Sequence, residues 1–291
     1  MFRNCTSLTT APELLATTLV KDCYNSMFKG CTNLNYIKAL FVTEPSNTYT
    51  ASWVDSVAST GTFVKSLDAE WDVTGVNGVP ENWTIEYDGH SYLTFTADGV
   101  ASTLALTNNK DNAPVLYYST DAETWTLWED YSALSIADGD SIYIYGNNPT
   151  GFNHTNSYST FTATGKIKCS GNIMTLLDNG AGRLLEIPNG SCFYRLFYQC
   201  TSLTDVSDLE LPATTLADSS YGEMFWECTS LTKIFSSLPA TTLATKSDDW
   251  YQYQAMFYGC TSLVDVSSLN IAATTMAPYC CESMFYGCTS L

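Results

Sequence analysis

The sequence predicts an α/β protein in which repeat units of strand, turn and helix flank an antiparallel β-sandwich-like domain. Three observations carry that expectation. An eight-residue segment recurs near both ends of the chain, and fixed-period self-similarity marks a repeat architecture. The residues around it show the apolar spacing of short extended pieces and of one helical face. The middle of the chain alternates apolar and polar residues between turn signals, as half-buried strands do.

The recurring segment is Met/Leu-Phe-x-x-Cys-Thr-Ser/Asn-Leu, starting at Met1, Met27, Leu196, Met224, Met256 and Met284. Within the two blocks the intervals are 26, 28, 32 and 28 residues, the longest carrying an insertion around Asp248-Asp249-Trp250-Tyr251. A second element, Leu-Pro-Ala-Thr-Thr-Leu, falls at Leu211–Leu216 and Leu238–Leu243, with variants at Leu14–Leu19 and Asn270–Met276. After each cysteine come apolar residues about three apart: Leu203, Val206, Leu209; Leu231, Ile234, Leu238; Leu263, Val266, Leu269. Upstream of it, Tyr221, Met224, Phe225 and Cys228 follow i, i+3, i+4, i+7, the spacing of one helix face. One unit cannot bury that face alone, so neighbouring units must share it.

Residues 1–43 read as the end of one repeat array, 44–84 as its cap or linker, and 85–168 as the β-sandwich-like domain. Residues 169–195 read as the N-terminal cap of a second array, and 196–291 as its repeats. In the cap, Tyr49, Trp53, Val54 and Val57 suit a short helix, with strand-like pieces at 61–65 and 83–87. In the sandwich region the alternating runs are 92–96, 104–106, 115–118, 124–128, 141–145 and 159–161. Both ends of the chain stand in the same repeat phase, whereas natural arrays end in atypical capping units, so the chain reads as part of a longer polypeptide.

The pattern Cys-Thr-Ser-Leu, Leu-Pro-Ala-Thr-Thr-Leu, Tyr-x-x-Met-Phe-x-x-Cys resembles the BspA-like leucine-rich-repeat surface proteins of gut Bacteroidetes and related organisms. The resemblance covers 1–43 and 196–291 by motif, and implies leucine-rich-repeat solenoid segments and a role in adhesion or binding at a surface. That family also occurs in phage and prophage neighbourhoods, which adds a virion surface or receptor-binding component as an alternative.

Bulk composition narrows the partners. The chain holds 12 Lys and Arg against 30 Asp and Glu, a net charge of −18. Such a field repels phosphate backbones and excludes nucleic acid. No apolar run approaches the roughly 18 residues that a membrane-spanning helix needs. The 11 cysteines lack the Cys-x-x-Cys spacing of a zinc site, and six hold one repeat position, so they read as a row of small buried thiols. Cys23 and the pair Cys280-Cys281 leave a disulfide between repeats open.

Local motifs are weak. Ser119–Trp125 approaches the Asp-box of sialidases but is one residue short and lacks the glycine; it reads as a hairpin turn. Asp138-Gly139-Asp140 reads as a turn, since calcium needs more oxygen ligands. The repeated Leu-Pro-Ala-Thr-Thr lacks a sortase signal's glycine. His90 and His154 have no ligand spacing, and the sequons at Asn4, Asn82, Asn153 and Asn189 are expected to be unmodified in a bacterial protein.

No catalytic, cofactor-binding or metal-ligating residues are expected. The expectation is a non-enzymatic, extracellular or surface-displayed binding protein recognising a host protein, matrix component or glycan. An accessory carbohydrate-binding region of a larger hydrolase is the alternative. The binding residues expected lie between the buried positions of the repeat strands: Thr204, Asp205, Ser207, Asp208, Thr232, Lys233, Asp265 and Ser267. Being hydroxyls and carboxylates, they favour a polar or cationic partner.

Overall fold

A computed structural model describes residues 1–291 apart from 67, 68, 70, 89, 90, 109–112, 155, 156 and 244–251. His90 and the insertion residues Asp248, Asp249, Trp250 and Tyr251 therefore lie outside the described residues. The chain forms two compact units, Met1–His90 and Ser91–Leu291.

The first unit holds one parallel sheet of β1 (Tyr36–Ala39), β2 (Thr62–Ser66) and β3 (Thr84–Asp88), in that order. Isolated parallel bridges, Thr10 to Tyr36 and Leu14 to Ala39, extend it to the first repeat. Its core is aromatic: Trp71 stacks on Phe41 at 5.4 Å, and Trp53 meets Phe41, Phe28 and Phe63. Each buried indole finds a carbonyl, with Nε1 of Trp53, Trp71 and Trp83 donating to Gly78, Phe41 and Ala58. Lys65 is 2% exposed; its ammonium donates to the Trp71 carbonyl and pairs with Asp72.

The second unit starts with β4 (Leu93–Ala97), β5 (Ser102–Thr107), β6 (Leu116–Ser119), β7 (Thr126–Leu127), β8 (Leu134–Ile136), β9 (Ser141–Gly146), β10 (Thr160–Thr164) and β11 (Ile167–Asn172). The repeats add β12 (Leu203–Asp205), β13 (Leu209–Glu210), β14 (Thr215–Leu216), β15 (Ser237–Leu238), β16 (Thr242–Leu243) and β17 (Asn270–Ile271). One sheet runs β12-β11-β4-β9-β6-β7 with β13 also on β11; another runs β10-β5-β8. They pack as a sandwich-like pair, with Phe95 of β4 5.0 Å from Phe161 of β10. The alternation does this: Leu93, Phe95, Ile142 and Ile144 turn inward, Thr94, Thr96, Tyr143 and Tyr145 outward. Two small parallel pairs, β14-β16 and β15-β17, link successive repeats.

The α/β expectation, with its leucine-rich-repeat solenoid of helical units, is overturned. The described residues contain no α-helix; their one helical element is a 3-10 turn, Ile173–Leu176. The described residues form several small sheets joined by turns and loops. Where helices were expected, including 48–56 of the first unit, the chain forms a ribbon of overlapping turns. In 191–200, N–H groups of Tyr194, Leu196 and Tyr198 bond three residues back, to Ser191, Phe193 and Arg195. The N–H groups between them cross to the next repeat: Phe193 to Ser220, Arg195 to Gly222, Phe197 to Met224, Gln199 to Trp226. Past its first turn a helix would bond each N–H to the carbonyl four residues back and offer none to a neighbour. The ribbon places every fourth residue at positive φ, as at Ser191, Arg195 and Gln199, then Ser219, Glu223 and Glu227. Its period of four mimics the 3.6-residue period of a helix, which explains the misreading.

Equivalent side chains of successive repeats meet in rows. Phe197, Phe225, Phe257 and Phe285 stack at 5.2, 5.2 and 5.5 Å with their planes within 4°. The repeat cysteines lie beside them: Cys228, Cys260 and Cys288 donate Sγ–H to the carbonyls of Phe197, Phe225 and Phe257 at 3.1, 3.2 and 3.0 Å. Cys31 does the same to Phe2 in the first unit. The sandwich covers the carbonyl end of the second unit's first ribbon. Asn153, 0% exposed, donates N–H to Cys192 O and Nδ2 to Tyr194 O, and Phe161 N–H reaches Leu196 O.

Candidate binding surface of the second unit

The expected binding residues all belong to the second unit, where β12 extends the sandwich sheet into the repeats. Thr204, Asp205, Ser207 and Asp208 lie on β12 and the turn after it. Asp205 Oδ1 accepts from Ser207 N–H at 2.9 Å and Ser207 Oγ at 2.7 Å, an Asx turn that carries the chain to β13. Asp265 repeats the device, accepting from Ser267 N–H at 2.8 Å. Lys233 reaches Asp205 Oδ2 at 3.3 Å. Burial works against the Asp205 charge, but the Ser207 groups and Lys233 outweigh it and hold its carboxyl below the ordinary value. Ser267 does so for Asp265, through its N–H and then its hydroxyl.

Much of the expected row is therefore committed to the fold. Thr204 Oγ1 bonds Ile167 O and Asp98, and Thr232 donates to Thr204 O from both its N–H and its hydroxyl. Asp208 differs. It is exposed, and its carboxylate has no hydrogen-bond partner among the described residues, feeling Lys168 only through its field. It lines a cleft of 430 Å³ with Ser207, Glu210, Pro212, Phe235 and Ser237. The walls come from two successive repeats: Leu-Pro-Ala-Thr-Thr-Leu buries Leu211, Ala213 and Leu216 and leaves Pro212 at the rim, and Leu238–Leu243 does the same with Pro239. The structure thus brings Ser207 and Asp208 into one concavity and leaves Asp265 and Ser267 outside its lining. Glu210, on β13 just before the Leu211-Pro212 step, is not among the residues expected from the sequence; its signal was an acidic side chain beside that step.

The sandwich carries a second surface. Ser119 and Asp121 build the turn between β6 and β7: Ser119 Oγ donates to Asp121 Oδ1 at 2.7 Å, which also accepts from Thr124 and Glu123 N–H. Those bonds, led by Thr124, hold the Asp121 carboxyl far below the ordinary carboxylate range. Trp125 anchors the turn, 4.6 Å from both Tyr92 and Tyr145. Tyr117 stacks on Tyr145 at 4.8 Å, and with Tyr143 these rings form a half-buried patch on the outer sheet face.

Asp138-Gly139 is a turn, and it crosses between sheets, since β8 pairs with β5 and β9 with β4 and β6. Among the described residues no three His, Cys, Asp or Glu side chains gather into a metal-holding group. His154 Nδ1 lies 3.2 Å from Asn189 Nδ2. Of the sequons, Asn4 and Asn82 are exposed, Asn189 is half-buried and Asn153 is fully buried. All 11 cysteines are free thiols. No described helix is long and apolar enough to cross a membrane. Comparison with protein-family models, with curated proteins and with solved structures finds no match to this chain.

Proposed function

We propose that this chain is a non-catalytic recognition protein of a cell or virion surface, which binds a basic protein segment in the cleft at Asp208 and Glu210. One observation carries the reading: two carboxylates and serine hydroxyls rim a concavity with an apolar wall of Phe235 and Pro212. A lysine or arginine side chain fits that chemistry, its stem against the apolar wall and its charge at the rim. The net charge of −18 adds long-range attraction for such a partner. The hydroxyl-rich composition and the resemblance of the repeat motif to surface proteins support the location.

Binding of Lys- and Arg-containing peptides, measured by interferometry, should weaken about ten-fold, some 1.4 kcal/mol, in Asp208→Asn at an unchanged melting temperature. It should also fall with added salt. Equal affinity in the variant would remove the cleft from consideration. A glycan ligand is the second reading, motivated by the Tyr117–Tyr143–Tyr145 patch. Glycan-array signal abolished by Tyr117→Ala but kept by Asp208→Asn would favour it.

A further inference from the structure

Three sulfur atoms meet where the last turn ribbon begins. Cys280 Sγ lies 3.6 Å from Met276 Sδ and 3.7 Å from Cys281 Sγ. The local fold assembles them. Cys280 N–H bonds back to Ala277 O at 3.3 Å and Tyr279 takes a positive φ of 56°, so residues four apart fall on one side. The adjacent Cys281 adds the third sulfur.

These thiols differ from the repeat cysteines. Cys31, Cys228, Cys260 and Cys288 each donate to a phenylalanine carbonyl. Among the described residues, Cys280 and Cys281 have only each other and Met276 as side-chain hydrogen-bond partners. Access is one-sided: Cys280 is 4% exposed, Cys281 half-buried, Met276 52% exposed.

We propose that Met276, Cys280 and Cys281 form a binding site for a soft monovalent cation, Cu(I) or Ag(I), held by two thiolates and one thioether. A metal–sulfur bond of about 2.3 Å, as thiolates make to zinc, sets the sulfurs of a trigonal site about 4 Å apart. The two observed separations need to open by only a few tenths of an ångström. Thiolate and thioether donors select Cu(I) over hard cations, and the trio holds no oxygen donor that would suit calcium or magnesium. Binding replaces two thiol protons: one cation enters, two S–H bonds break, two metal–thiolate bonds form, and two protons leave to solvent. Affinity therefore rises about 100-fold per pH unit while both thiols are protonated.

The test uses the full chain carrying Cys5→Ser and Cys23→Ser, which removes the two exposed thiols, reduced and desalted under argon. Cu(I) is titrated against bicinchoninate, and Ag(I) in parallel by calorimetry. The expected result is one tight equivalent per chain, whose affinity rises with pH from 6 to 8. Met276→Leu should weaken it about ten-fold, and Cys281→Ser should abolish it. Both positions are partly exposed, and near-UV circular dichroism checks that both variants fold. Absence of uptake, or one equivalent retained in folded Cys281→Ser, overturns the assignment.

Discussion

Gly259 stands at φ +70°, one residue before the repeat cysteine. Five other copies fill that place with Asn4, Gly30, Gln199, Glu227 and Gly287, all at positive φ. Were this a helix interior, Gly259→Ala would stabilise by about 1 kcal/mol. In the turn ribbon a Cβ at Gly259 sits in left-handed backbone and 3.0 Å from Glu227 Cγ. The variant should lose about 1–2 kcal/mol, read as a lower urea midpoint at unchanged slope. A gain would restore the helical reading. The same scale shows what residue patterns express: Leu203, Leu231 and Leu263 are all fully buried, as their spacing requires.

The elements divide by how their side chains are read. Runs expected at 92–96, 104–106, 115–118, 141–145 and 159–161 coincide within a few residues with β4, β5, β6, β9 and β10. Strict alternation is the physical mark of a strand with one wet face, so they were legible. β8 is too short to alternate convincingly, and β11, with Lys168, Ser170 and Gly171 outside the usual strand preferences, is formed by its neighbours. Inside the repeats, rows of rings replace helix packing. Phe225, 0% exposed between Phe197 and Phe257, should cost about 3–5 kcal/mol on change to Ala. Chemical denaturation measures this; a cost under 1 kcal/mol would show that the row contributes little to stability.

At the scale of the whole chain, buried thiols couple the fold to alkaline pH. Burial pushes Cys192 and Cys260 up to about 12 and Cys200 to about 11, against an ordinary 9.0. Each keeps its proton when folded and loses it when unfolded above pH 9. Their contribution is therefore complete below pH 9 and disappears as pH climbs through 11–12. Buried Tyr221 and Tyr253, raised by the same cause, act in the same direction. The melting temperature should fall steeply between pH 9 and 11, and Cys260→Ala should flatten that fall. A profile flat to pH 11 would show that the thiols are not held dry.

The sequence by itself determined the repeat period, the inward-facing leucines and phenylalanines, the alternating strands of the sandwich and the acidic character of the surface. All of these follow from side-chain spacing and charge, which need no partner to be read. Tertiary structure alone decided that the repeats are turn ribbons. The choice between a helix and a ribbon depends on whether N–H groups bond within the segment or across to the next one. It also decided that Asp205 and Asp265 serve their own turns while Asp208 faces a cleft. That outcome depends on where the Ser207 and Ser267 amides come to lie, and a position in the chain does not specify it.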